Sequence, residues 1–261
     1  MKAFTFVTFA AAAGLASAQS LSEGCTNSLK AVLNDPAAEC LNTASLLSFF
    51  VGNAQSVPTT IDNWLTGLCS SGFCSNATLA AVVTNITTGC ATDLSSVGVS
   101  GVPETVTQIV QEVYPTVRNV MCLKDDASNK LCVTETLQSL EDIVGKMTVA
   151  DLNIATLVAD FQKLVAGAAN LACTNCTKAA ISLASPIISS IPDFPLAVQG
   201  IDALCGAGFI DGSSSDMAGV SQTANTEAFA QPKSGAALGL TTSKTAGAVM
   251  VLLFSAFTLL G

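Results

Sequence analysis

No histidine occurs in this chain. That absence removes Ser-His-Asp and Cys-His nucleophile systems and the commonest metal-ligating side chain. Aromatic stacking surface is also scarce, with a single Trp, Trp64, and a single Tyr, Tyr114. Sugar clefts present ring faces, so this poverty weighs against a glycan-binding platform. Long alternating apolar–polar runs are missing, which disfavours a sheet-based fold. Positive charge is sparse: 10 basic residues stand against 19 acidic ones, a net charge of −9. That balance argues against nucleic acid as a partner, because phosphates demand a basic surface. It argues equally against electrostatic docking on anionic lipid.

What is present is organised from the two ends inward. MKAFTFVTFAAAAGLASAQS opens with one Lys, continues with an apolar run and reaches the small-residue site Ala16-Ser17-Ala18. This order predicts a secretory signal peptide over residues 1–18. At the other end, Ala246–Gly261 is apolar apart from Ser255 and Thr258, and no Lys or Arg follows it. A bilayer-spanning helix needs about 20 apolar residues, and a cytoplasmic end normally carries basic residues. Upstream lie a polar-leaning spacer, Leu238–Thr245, and the small triplet Ser234-Gly235-Ala236. Triplet, spacer and hydrophobic end together read as the signal for a glycosylphosphatidylinositol (GPI) anchor. Ser234 is the expected attachment residue, with Gly235 the near alternative and residues 235–261 the discarded propeptide. A retained C-terminal membrane helix is the competing reading. Processing would remove Lys2 and Lys244, leaving 8 basic against 19 acidic residues and a charge of −11.

The ten cysteines are Cys25, Cys40, Cys69, Cys74, Cys90, Cys122, Cys132, Cys173, Cys176 and Cys205. An even count behind a secretory signal predicts five disulfides. Each would stabilise the fold by roughly 2–4 kcal/mol, and several hundred pairings are combinatorially open. Three N-glycosylation sequons begin at Asn76, Asn85 and Asn175. The third contains Cys176, whose early oxidation would crowd the acceptor.

Apolar spacing is helical almost throughout. In residues 148–173, Ile154, Leu157, Val158, Phe161, Leu164, Val165, Ala168 and Leu171 recur at threes and fours. Val133–Met147 repeats the pattern with Leu137, Leu140, Val144 and Met147. Pro103-Glu104 suits a helix start. Val106, Ile109, Val113, Val117 and Val120 are its expected buried side, and Pro115 is expected to kink or divide it. Shorter helices are expected at Thr26–Asn34, Leu41–Val51, Thr59–Ser70, Ala77–Thr88, Thr177–Ser189 and Pro195–Leu204. On Ala77–Thr88 the stripe is Leu79, Val82, Val83 and Ile86, with Asn85 about 120° from its middle.

The cysteines fall into two similar runs, Cys25 to Cys90 and Cys122 to Cys205, each with a close pair following a long gap. With five cysteines per run, at least one bridge must join the halves. The expected fold is therefore all-α: a disulfide-stapled multi-helix bundle of two pseudo-repeated halves in one domain, residues 19–209. Residues 210–234 are small, polar and rich in Ser, Thr and Gly, and are expected to form a disordered stalk.

Chemistry has few places to reside. Cys173-x2-Cys176 has the spacing of a redox or zinc motif. It lacks the strand and βαβ setting of a thioredoxin-type pair, and in an oxidising compartment disulfides form first. Asp211–Asp216 lacks the ligand spacing of a calcium loop. A two-carboxylate hydrolase needs only acids, and the adjacent ones are Asp125-Asp126, in a loop, and Glu141-Asp142, on the solvated face of a helix. No catalytic, cofactor or metal residue is assigned. Phe49, Phe50, Trp64 and Phe161 could line an apolar cavity for a fatty acid or sterol. They serve equally as core, and Trp64 with Ile61, Leu65 and Leu68 fits a helix core position.

Signal peptide, ten-cysteine helical domain, Ser/Thr stalk and the Ser234-Gly235-Ala236 site together resemble the cysteine-rich, GPI-anchored secreted surface proteins of filamentous, mushroom-forming fungi. The resemblance covers the whole chain, and its motifs are architectural. It implies a non-enzymatic glycoprotein of the cell surface or cell wall. Such a protein would be tethered to the outer face of the plasma membrane and would have a structural, adhesive or interaction role. Cell-wall glycans or other surface proteins are its expected partners. The alternative function is an extracellular carrier of a small apolar ligand, and the third is a histidine-free hydrolase using Asp125 and Asp126.

Overall fold

A computed structural model describes residues 21–46, 56–96, 103–148, 161–189, 194–210 and 217–230. The signal peptide, Phe49 and Phe50, the first part of the 148–173 helix, Asp211–Asp216, Ser234 and the hydrophobic tail lie outside these residues. No helix among the described residues is long and apolar enough to cross a membrane.

Nine α-helices and two short 3-10 helices make up most of the described chain, as the apolar periodicity predicts. Helix α1, Glu23–Leu33, begins at an N-cap, Ser22, whose hydroxyl accepts the N–H of Cys25. Two 3-10 turns follow, Pro36–Leu41 and Thr43–Leu46, where one helix from Leu41 to Val51 was expected. Asn42 takes a left-handed conformation between them, which interrupts α-helical propagation. Helix α2 is Val57–Ser70, α3 is Asn76–Gly89 with Ser75 as its N-cap, and α4 is Ala91–Ser96. Helix α5, Pro103–Met121, runs undivided through Pro115. Helix α6 is Cys132–Val144, α7 Phe161–Ala172, α8 Asn175–Ile188 and α9 Phe194–Cys205. Helix α6 stops three residues short of the expected Met147 because Gly145, at φ 94°, turns the chain away.

Helix α5 buries a different face from the one its apolar residues outline, and α7 departs from its stripe at Val165. On α5 the buried line is Val110, Tyr114 and Arg118, whereas Ile109 is 54 % exposed. These three recur every four residues and lead into the bridged Cys122, so the disulfide and α3 together set the helix rotation. On α7, Val165 is 60 % exposed while Gly167 and Leu171 are buried. The close approach is to α6: a Cβ on Gly167 would lie 2.3 Å from Ile143 Cδ1.

All ten cysteines pair: Cys25–Cys90, Cys40–Cys74, Cys69–Cys122, Cys132–Cys176 and Cys173–Cys205. As the odd count per half requires, one bridge, Cys69–Cys122, joins the two runs. Cys40–Cys74 and Cys132–Cys176 hold the same ordinal places in their halves; the other pairs do not correspond. Cystines also seed the core. Cys25, Cys90 and Leu94 form one cluster, and Cys40, Cys74, Leu79, Val83, Val110 and Tyr114 a second. Leu123, Cys132, Cys176, Ala179 and Val220 form a third. Leu65, Leu68 and Leu131 form a fourth, flanked by Ile61 and Trp64.

The expected stalk is corrected over residues 217–230, which are built into the domain as a strap. Strand β1, Leu123–Asp125, pairs antiparallel with β2, Val220–Gln222, matching Leu123 to Gln222 and Asp125 to Val220. Val220 is buried, and Met217 and Phe229 pack on core clusters. Three apolar anchors and a run of backbone hydrogen bonds thus order a segment whose composition reads as a linker.

Candidate functional site

The strap crosses the molecule at the Cys69–Cys122 bridge. The N–H of Thr223 donates to the carbonyl of Cys122 at 3.0 Å, and that of Asn225 to the carbonyl of Cys69 at 2.8 Å. Farther on, Phe73 N–H donates to Glu227 O at 2.7 Å and Phe229 N–H to Phe73 O at 2.9 Å. Beneath this crossing lies Arg118, 1 % exposed. Its Nη1 donates to Asn225 O at 2.8 Å, and its Nη2 to Leu68 O at 3.0 Å and also to Ser71 O. The guanidinium stacks 4.4 Å over the Phe73 ring, and Nε has no hydrogen-bond partner.

The carbonyls that receive Nη2 belong to the C-terminal end of α2, where the helix dipole is negative and the last carbonyls lack helical partners. Arg118 thus caps α2 while holding the strap. Burial pushes its pKa below the ordinary arginine value, yet a guanidinium stays charged in proteins. Nothing in the apolar periodicity pointed to this residue, because an Arg in an amphipathic helix is ordinarily solvent-facing. Beside it, Tyr114 Oη accepts the N–H of Cys74 at 3.2 Å, and burial raises its pKa above 10.0. Tyr114 and Phe73 meet edge to face at 6.1 Å.

The acidic candidates have structural duties. Asp125 Oδ1 accepts the N–H groups of Ala127 at 2.9 Å and Ser128 at 2.7 Å, closing the turn that carries Asn129 at φ 59°. Asp126 is exposed, and its N–H reaches Gly219 O at 3.0 Å on the strap. Asp142 is solvated as expected, but Glu141 is half-buried. Its Oε1 accepts Met147 N–H at 2.8 Å and Ser56 Oγ at 3.3 Å, fixing the start of α2. Asp125 and Glu135 also lie with Cys176 in a group whose ligand atoms are within 4.8 Å of one another. The Cys176 sulfur is bonded to Cys132, so it offers no thiolate. Cys173 is likewise bonded, to Cys205, so the C-x2-C pair forms two different bridges.

Among the described residues, two surface depressions stand out. One, of about 310 Å³, is lined by Ala80, Thr84, Pro103, Glu104, Thr107 and Gln108. The other, of about 170 Å³, lies between α6 and the α7–α8 corner, with Glu135, Ser139, Asn170 and Thr174 on its walls. The second has a mainly polar lining, unlike the mostly apolar walls of lipid and cofactor pockets, whereas the first is mixed. Of the proposed cavity rings, Phe49, Phe50 and the Phe161 side chain lie outside the described residues. Trp64 is half-buried, with Nε1 donating to Leu41 O at 2.8 Å. Among the sequon asparagines, Asn76 and Asn175 are exposed and Asn85 is half-buried.

Searches of curated proteins and of solved structures found no match. A family model does match, over residues 11–214, ending where the strap is about to begin. The chain belongs to the family described as Domain of unknown function (DUF7729).

Proposed function

We propose that this protein is an exported, disulfide-locked glycoprotein displayed on the outer face of the plasma membrane. A GPI lipid at Ser234 would tether it, and its role would be structural, adhesive or interactive. The observation that carries the reading is complete cysteine pairing: ten cysteines form five bridges, and none is left free. Such a framework persists in oxidising compartments, which agrees with the signal-like N-terminus and with the exposed sequon residue Asn76. Polar groups withdrawn from solvent support a framework role as well, since buried Arg118 and Tyr114 and half-buried Glu141 are engaged in holding backbone. Cell-wall glycans or neighbouring surface proteins are the partners such a domain would meet.

Treatment of intact cells with a phosphatidylinositol-specific phospholipase tests the proposal. Release of a protein that lacks the 235–261 segment and has no alkylatable thiols is expected. Protein that stays on the cell and retains Phe254 and Phe257 would refute the lipid anchor in favour of a membrane helix.

A further inference from the structure

The position of the strap has a consequence for how the domain meets its membrane. A stalk of residues 210–234 would let the domain tumble freely at a distance. Instead, the chain is clamped as far as Phe229, whose N–H is bonded to Phe73 O and whose ring packs on the core. A Cβ on Gly72 would lie 2.5 Å from Phe229 N, so the strap is seated directly on backbone. From Ala230, the last described residue of the strap, only four residues lead to Ser234. Four residues span at most about 14 Å when fully extended.

We infer that the strap fixes the orientation of the domain, holding the face around Gly72–Ala77 toward the lipid surface. The inference rests on the anchor at Ser234. The partner is the outer leaflet of the protein's own membrane, and the attraction is the tether; with a charge of −11, the mature chain has no electrostatic affinity for anionic lipid. Asn76 is exposed on this same end, so a glycan there would fill the space between domain and bilayer. Helix α3 starts beside this face at Asn76 and is about 20 Å long at 1.5 Å per residue, so Ala91, which opens α4 just beyond its far end, is well removed from Ala77. Surfaces near Cys25–Cys90 would therefore face partners in the wall or medium.

Energy transfer on cells expressing the full chain tests this. A fluorescent amino acid replaces exposed Ala77 or exposed Ala91, and a headgroup-labelled lipid in the outer leaflet is the acceptor. Phospholipase release of each variant verifies the anchor first. Several-fold higher transfer from residue 77 than from residue 91 is expected. That difference should vanish when a flexible Gly/Ser spacer of about 20 residues, with a mean reach of about 25 Å, follows Ala230. Equal transfer from both positions in releasable protein, without the spacer, would overturn the fixed orientation while leaving the anchor intact. Protein that the phospholipase does not release would overturn the anchor, and with it the membrane placement.

Discussion

Arg118 Nη1 lies 2.8 Å from the carbonyl oxygen of Asn225, a contact across 107 residues that joins the last turn of α5 to the strap. The same guanidinium reaches Leu68 O and Ser71 O at the end of α2. Removing it would leave buried carbonyls without donors, at about 1–3 kcal/mol for each group left unsatisfied. Arg118→Met is therefore expected to destabilise the domain by about 3 kcal/mol or more. Arg118→Lys should be destabilising too, because an ammonium cannot reproduce the planar fork. Urea unfolding followed by Trp64 fluorescence measures both, since Trp64 is the single Trp. A loss below about 0.5 kcal/mol, the range of ordinary surface substitutions, would contradict the buried cap.

Gly72 gives an independent handle on the strap. A methyl group there would collide with the backbone of Ala228 and Phe229, at 2.5 to 2.7 Å. Gly72→Ala should destabilise by about 1–3 kcal/mol, as overpacking does, and should unseat the strap before it unfolds the helices. Hydrogen exchange reads this directly: the Phe229 and Phe73 amides, bonded to Phe73 O and Glu227 O, should lose protection while those of α3 keep theirs. Unchanged protection at both amides would show that the strap is not seated on Gly72.

The helices were legible because their stripes recur every three to four residues. Val57–Ser70, Asn76–Gly89 and Asn175–Ile188 begin and end within two residues of the expected bounds. The even cysteine count implied complete pairing, but partner choice depends on which helix ends meet, and spacing does not report that. Arg118 was hidden for a related reason. Counting apolar residues places a helix face by hydrophobicity, whereas α5 is oriented by a capping cation and a cystine. The strap was masked by composition. Its order comes from backbone pairing at Phe73 and Cys122 and from Val220 and Phe229, scattered among Ser, Thr and Gly.

Tyr114 is the only Tyr in the chain, so phenolate absorbance reports it alone. Burial is the main cause of its raised pKa, with Cys74 N–H and Arg118 opposing. The folded state therefore disfavours the tyrosinate. Its contribution to stability is complete below pH 10.0, the ordinary value, and is lost as pH rises through the higher folded value. Spectrophotometric titration should give a midpoint above 10.0 in native protein, returning to the ordinary value in denaturant. A native midpoint at or below 10.0 would mean that the Tyr114 site is open to water.

Asp93 titrates in the opposite sense. Its Oδ2 accepts Ser22 Oγ at 2.6 Å and its Oδ1 accepts Ser22 N–H at 2.9 Å, and these bonds lower its pKa below 3.8. Ser22 is also the N-cap of α1, so the carboxylate orients a cap. The stabilisation is present above pH 3.8 and fades as pH falls through the lower folded value. Asp93→Asn should lower stability above pH 3.8 and so flatten the acid limb of a stability–pH curve, with the two proteins converging as pH falls. Thermal melts from pH 2 to pH 6 in both proteins test this; parallel curves would remove Asp93 as a contributor.

The five bridges should not reduce together. Cys25, Cys40, Cys69, Cys74, Cys90, Cys122, Cys132 and Cys176 are all buried, at 7 % exposure or less. Cys173 and Cys205 are only half-buried, and none of the described side chains of α9 is buried. A reductant must reach a sulfur to attack it, so access favours Cys173–Cys205. Its loss would free α9 from its covalent tie to the α7–α8 corner while leaving the four buried clusters in place. Brief treatment of native protein with dithiothreitol, followed by alkylation and peptide mapping, should label Cys173 and Cys205 first, with Trp64 fluorescence unchanged. Early labelling of Cys69 and Cys122 would mean that the strap leaves its crossing open to reductant, contrary to the hydrogen bonds at Thr223 and Asn225 that cover that bridge.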